Sequence, residues 1–165
     1  MRIALYQPDI PQNTGTILRL AACLGVGADL IEPAGFPVSD KAFRRAGMDY
    51  LEQVALTRHA SFGHFDAWRR ERGARLVLVE TDGVHRHETF AYRPDDILLL
   101  GRESAGVPDA VRATCETSLR IAQMPGVRSL NVAVAAAIVL AEGLRQTSRL
   151  PAEHPSHRSA SETLP

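Results

Sequence analysis

The sequence predicts an α/β protein built on a parallel sheet, and three observations carry the prediction. Short apolar runs of strand length alternate with longer helical patterns along the chain. The runs are continuously apolar, as in strands covered on both faces. The last element is a long helix with almost no polar stripe, which demands cover on every side.

Each element follows from its residues. Ile3 to Tyr6 reads as the first strand and Thr14 to about Leu24 as the first helix, since the prolines before it hold off an earlier start and Asn13 or Thr14 can cap. Ala28 to Ile31 is the next strand, with a short helix near Asp40 to Ala46 behind it. Val54 to Thr57 forms a third strand and Ser61 to Arg72 a helix. Leu76 to Val79 and Ile97 to Leu100 are strands, and Pro108 opens a helix that runs to Thr114. Leu119 to Ala122 is the last strand, and Leu130 to about Gln146 the closing helix.

The 165 residues suffice for one domain, and 45% hydrophobic content supports a core without disulfides. That domain is read as residues 1–149, followed by a tail, 150–165, whose Pro, Ser, His, Glu and Thr content buries nothing and predicts disorder. Nineteen basic and nineteen acidic side chains cancel, so a polyanion would be held by a local patch and not by bulk charge. Lys41 is the only lysine; the arginine forks suit phosphate and carboxylate. Cys23 and Cys115 form no CxxC pair, which excludes a zinc ribbon or disulfide framework and fits the cytoplasm. Residues 1–6 are too short for a signal peptide core, and Val132 to Ala141 is about half the roughly 20 residues of a membrane span, so neither export nor a membrane is expected. His85 and His87 lack a third ligand nearby, so no metal is expected.

The closing helix needs a second surface beyond the sheet. A symmetric second copy is the commonest cover, and a homodimer through helix 130–146 is the expectation, against the alternative of full cover within one chain.

Three polar clusters sit where strands end. In "PDIPQNTGTILR", residues 8–19, Asn13 and Arg19 are candidates to face the strand ends, although Asn13 serves equally well as a cap. In "LLLGRESAGVP", residues 98–108, Gly101, Glu103 and Gly106 follow a buried strand and allow a ligand to approach the backbone. The spacing is neither GxGxxG nor a phosphate loop. In "MPGVRSLNVAVAAAIVLAE", residues 124–142, Ser129 and Asn131 flank Leu130 at a helix start, where backbone N–H groups point outward.

Taken in order, "IPQNTGTILR", "GRESAG" and "RSLNVAVAAAIVLAE" resemble the three motifs of the SpoU branch of the SPOUT RNA methyltransferases, over nearly all of residues 2–146. The short chain, with "DKAFRRAGMDY" between the first two motifs, is similar to the TrmL-like group, which methylates the ribose 2′-oxygen of the tRNA wobble nucleotide. The resemblance implies a C-terminal trefoil knot and a donor, S-adenosyl-L-methionine, converted to S-adenosyl-L-homocysteine and bound near Val79, Gly101, Ile121, Ser129 and Leu130. It implies Arg19 at the target hydroxyl, with Asn13, Glu103, Ser129 and Asn131 around it, and a tRNA substrate, with nucleotide 34 of leucine tRNAs as the target. Guanidinium stays protonated, so Arg19 is read as a phosphate grip and alkoxide stabiliser and not as a base. Lys41, Arg44, Arg45, Arg58 and His59 are candidates for the RNA rim. Ala122, Gln123, Ala133, Val134 and Ala141 depart from the usual polar and aromatic pattern. Two other readings stand beside this one: a 2′-O-methyltransferase for rRNA or another tRNA position, and an RNA-binding dimer without catalysis.

Overall fold

The structure is a computed structural model that describes residues 1–38 and 54–152. Seven strands form one sheet: β1 (Arg2–Tyr6), β2 (Gly27–Ile31), β3 (Leu56–His59), β4 (Leu76–Val79), β5 (His85–Arg86), β6 (Ile97–Leu100) and β7 (Thr117–Arg120). Their spatial order is β3-β2-β1-β6-β4-β7-β5, and each neighbouring pair is parallel. Four helices are described: α1 (Pro11–Cys23), α2 (Phe62–Glu71), α3 (Asp109–Arg112) and α4 (Val132–Gln146).

The continuous apolar strands explain the two-sided cover. Side chains alternate across a strand, so Ile3, Leu5, Leu98 and Leu100 turn to a layer with Ile17 and Leu18 of α1 and Val139 and Leu140 of α4. Ala4, Tyr6, Ile97 and Leu99 enter the opposite layer with Phe65 of α2 and Val111 of α3. All four residues of β6 are buried, as the central place of that strand requires.

Element starts differ from the sequence reading in instructive ways. Helix α1 begins at Pro11, three residues earlier than expected, with Ile10 at the N-cap. Proline at the first helical position loses no hydrogen bond and has its φ already set, so it opens this helix where it was expected to delay it. Asn13 is therefore no cap, and its amide is available elsewhere. Strand β7 starts two residues before the expected Leu119 and stops at Arg120. Its polar leader is used: Ser118 Oγ accepts the Val84 N–H at 3.1 Å and Arg120 Nη1 donates to Val84 O at 2.8 Å, which seats the unforeseen two-residue strand β5. Strand β3 is shifted to Leu56–His59, α2 uses Ser61 as its cap, and α3 is only the first part of the expected 108–114 helix. The expected helix at 40–46 and most of the expected tail lie outside the described residues. No helix among the described residues is long and apolar enough to cross a membrane.

Candidate active site

The carboxyl ends of β4, β6 and β7 and the start of α4 enclose a cleft of about 560 Å³. Leu78, Val79, Leu100, Ile121 and Leu130 give it apolar walls, while two polar groups flank them. This is where parallel sheets place their ligands.

The loop after β6 is held in a tight turn. Arg102 and Gly106 exchange backbone hydrogen bonds at 3.0 and 2.8 Å, and Gly106 sits at φ 64°. A Cβ on Gly101 would lie 2.6 Å from the Gly106 carbonyl carbon, so the turn closes only over glycine. From the β1 side, Asp9 braces it: its carboxylate accepts the Ser104 hydroxyl, the Ser104 N–H at 3.1 Å and Arg102 Nη2 at 3.0 Å. These bonds, Ser104 first and Arg102 next, hold the Asp9 carboxyl below its ordinary range.

One polar group is a relay across all three motifs. Glu103 accepts the Asp9 N–H at 2.8 Å and the Asn13 side-chain amide at 3.0 Å. Asn13 Oδ1 accepts from the Asn131 amide at 2.9 Å, and Asn131 Oδ1 accepts from Ala133 N at 2.8 Å and Val134 N at 3.4 Å. The amide assignments follow from the network, because each nitrogen meets an acceptor and each oxygen a donor. Asn131 thus caps α4 and turns its donors towards Asn13. A carboxylate lies at one end of the relay and the positive end of a helix at the other.

The second polar group is Glu80, Thr81 and Asp82, just past β4, with Arg112 of α3. Arg112 meets the Glu80 carboxylate and lies 3.9 Å from Asp82. The sequence reading passed over this group, although an acidic Glu-Thr-Asp directly after the buried run Leu-Val-Leu-Val was a visible signal.

The sequence-derived candidates fall into three sets. Asn13, Glu103, Ser129 and Asn131 line the cleft together with Val79, Gly101, Ile121 and Leu130, and the divergent Gln123 lines it too. Arg19 does not: six residues beyond Asn13, it is displaced by about 9 Å along the helix and rotated by about 120°. Among the rim candidates, Arg58 is exposed and pairs with Glu32 at 2.7 Å. His59 corrects the expectation for it. It is 5% exposed, bonded to the fully buried Asp29 at 2.9 Å and packed on Phe65 and Trp68, so it is a core residue with no face for RNA. Lys41, Arg44 and Arg45 lie outside the described residues. Among the described residues no cluster of three or more His, Cys, Asp or Glu could hold a metal.

Comparison with known proteins gives a consistent picture. Residues 1–141 match the model of the SpoU rRNA methylase family. A tRNA (cytidine(34)-2′-O)-methyltransferase of Beijerinckia indica is 65% identical over 90% of this chain and 92% of its own length. An Escherichia coli protein of the same description is 39% identical over 88% and 93%. A solved structure concerned with 2-OH methylation of C/U34 on tRNA superposes with TM-score 0.80 at 43% identity, covering 88% of this chain and 94% of its own. The AviRb methyltransferase of Streptomyces viridochromogenes, solved with AdoMet, gives TM-score 0.79 at 30% identity; this chain covers 57% of it.

Proposed function

The chain belongs to the SpoU methylase family, and from that premise we propose that it transfers a methyl group from S-adenosyl-L-methionine to the ribose 2′-oxygen of nucleotide 34 in leucine tRNAs. The observation that carries the reading is the Glu103–Asn13–Asn131 relay, which joins three sequence motifs at one cleft. The relatives named for cytidine-34 methylation supply the target. Cytoplasmic action follows from that substrate.

The cleft fits the donor. Its apolar walls suit a purine, its polar ends suit ribose and amino-acid groups, and its volume is that of a small-molecule site. When bound, the donor supplies an electrophilic methyl on a sulfonium. The remaining work is alignment of the 2′-hydroxyl and transfer of its proton to the RNA phosphate or to water. Ser129 and the second amide hydrogens of Asn13 and Asn131 hold the hydroxyl; Glu103, already accepting two donors, adds negative charge opposite the cationic donor. The family's trefoil knot belongs to this reading, as the device that shapes the donor loops.

Arg19 completes the site from a second copy. Leu130 is 37% and Val134 48% exposed at the start of α4, and Met124 and Val127 add apolar surface nearby. Helices α1 and α4 pack on each other. A homodimer through 130–146 covers that surface and carries Arg19 of the partner subunit to the cleft, where its permanent charge grips phosphate and stabilises developing alkoxide. Lys41, Arg44, Arg45 and Arg58 extend the grip to the anticodon backbone.

Incubation with tritiated donor and undermodified leucine tRNA tests the reaction: ribose label at nucleotide 34 is expected. Label in rRNA or at another tRNA position would move the target, and RNA binding without label would remove the catalysis.

A further inference from the structure

We propose that Glu80 recognises the ribose hydroxyls of the methyl donor's adenosine, with Arg112 as the positioning residue that holds its carboxylate. The assignment rests on the donor-binding reading above. Glu80 is the first residue past β4, and its N–H donates to Leu119 O at 2.9 Å, so the backbone beneath it is fixed by the sheet. The side chain is 13% exposed on the cleft wall. A carboxylate covered to that degree is orientated more by fixed partners than by bulk water. Among the described residues its one ion-pair partner is Arg112, at Oε2, which leaves Oε1 for a further donor.

A vicinal diol suits this remainder, because one O–H can donate to Oε1 while its neighbour, at fixed spacing, reaches the second lone pair of Oε2. An acidic side chain at the end of a parallel strand takes ribose hydroxyls in the same way in dinucleotide sites. The place in the sheet agrees. Strand β4 lies between β6 and β7, one strand farther from β1 than the Glu103 loop. Glu80 therefore serves the adenosine side of the cleft, and the relay serves the reacting side. Arg112, half-exposed and also near Asp82, supplies the fixed positive charge that orients the Glu80 carboxylate on the cleft wall.

Isothermal titration of the full chain tests this, with S-adenosylhomocysteine and its 2′-deoxy analogue against wild type, Glu80→Ala and Arg112→Gln. Wild type should prefer the ribose ligand by roughly tenfold or more, the scale of one hydrogen bond to a charged acceptor. That preference should collapse to within about twofold in Glu80→Ala and fall partway in Arg112→Gln, with the deoxy ligand binding all three chains alike. Equal losses for both ligands in Glu80→Ala would overturn the assignment and make Glu80 a wall. So would a loss in Arg112→Gln seen with S-adenosylhomocysteine and absent with 5′-methylthioadenosine, which keeps the ribose but has no carboxylate; Arg112 would then clamp the amino-acid end. Wild type that binds neither nucleoside would refute the donor-binding reading itself, and this assignment with it.

Discussion

Asn131 donates to Asn13 at 2.9 Å while its own oxygen caps α4, so one side chain ties the first motif to the third and starts the helix at the cleft. The two tasks are separable by chemistry. Aspartate caps as well as asparagine but has no N–H to donate when ionised. Asn131→Asp should therefore keep its melting temperature within about 2 °C of wild type, a fraction of a kcal/mol for a domain of this size, yet lose methyl transfer. Asn131→Ala should lose both, with about 1 kcal/mol from the missing cap. Thermal melts beside single-turnover assays decide; an active Asn131→Asp chain would show that the link to Asn13 is dispensable.

The Asp9 brace predicts a pH dependence with a definite sign. Its carboxyl is held below the ordinary value by Ser104 and Arg102, so the folded pKa lies under the unfolded one, near 3.9. Stability from the brace is fully present above that unfolded value and is lost as pH falls through the depressed folded pKa. The melting-temperature gap between wild type and Asp9→Asn should stay constant from pH 8 to 5 and shrink only on further acidification. A gap that persists undiminished to pH 2 would remove Asp9 ionisation from the account.

Gly101→Ala tests the closed turn. The added methyl would meet the Gly106 backbone at 2.6 Å, and backbone has no rotamer by which to yield. The loop has to open, which should weaken S-adenosylhomocysteine binding at least tenfold, about 1.4 kcal/mol. Gly106→Ala should cost about 1–3 kcal/mol by strain at positive φ alone. Calorimetric binding and melting of both variants check the pair; normal affinity in Gly101→Ala would mean that the turn does not shape the cleft.

The legible parts of the sequence were those where one force dominates. Strands β4 and β6 lie where the letters place them, because Leu-Val-Leu-Val and Ile-Leu-Leu-Leu are unbroken apolar runs of strand length bounded by polar residues or glycine, as strands covered on both faces require. The start of α1 was misread because Pro11 was weighed as a breaker, when its position relative to the helix decides its effect. Strand β7 was misplaced because its first residues are polar and earn their place through side-chain bonds to the β5 arm. His59 looked like rim because Arg58 precedes it, and only the pairing of β2 with β3 reveals Asp29 beside it. Strand order, and with it the meeting of Asn13, Glu103 and Asn131, rests on contacts too remote in sequence for local pattern to fix. The motifs signalled a shared site by resemblance, while Glu80 belonged to none of them and passed unnoticed.

Arg19 offers the sharpest test of assembly. It does not line the cleft of its own chain, yet a guanidinium is wanted there, so the proposed dimer makes each active site from two subunits. Arg19→Ala alone should abolish turnover and leave S-adenosylhomocysteine affinity nearly intact, since the donor cleft is untouched. Asn131→Asp alone should also be inactive, its defect lying in the cleft. When the two are unfolded together and refolded as random dimers, about half the dimers are mixed. Each mixed dimer has one cleft with intact Asn131 facing an intact Arg19 of the partner subunit, so roughly a quarter of wild-type activity should return. If Arg19 works within its own chain, every site in the mixture carries a lesion and no activity returns. Recovery near a quarter, set against a size-exclusion control that confirms the dimer, supports the shared site; inactivity of a verified mixed dimer rejects it.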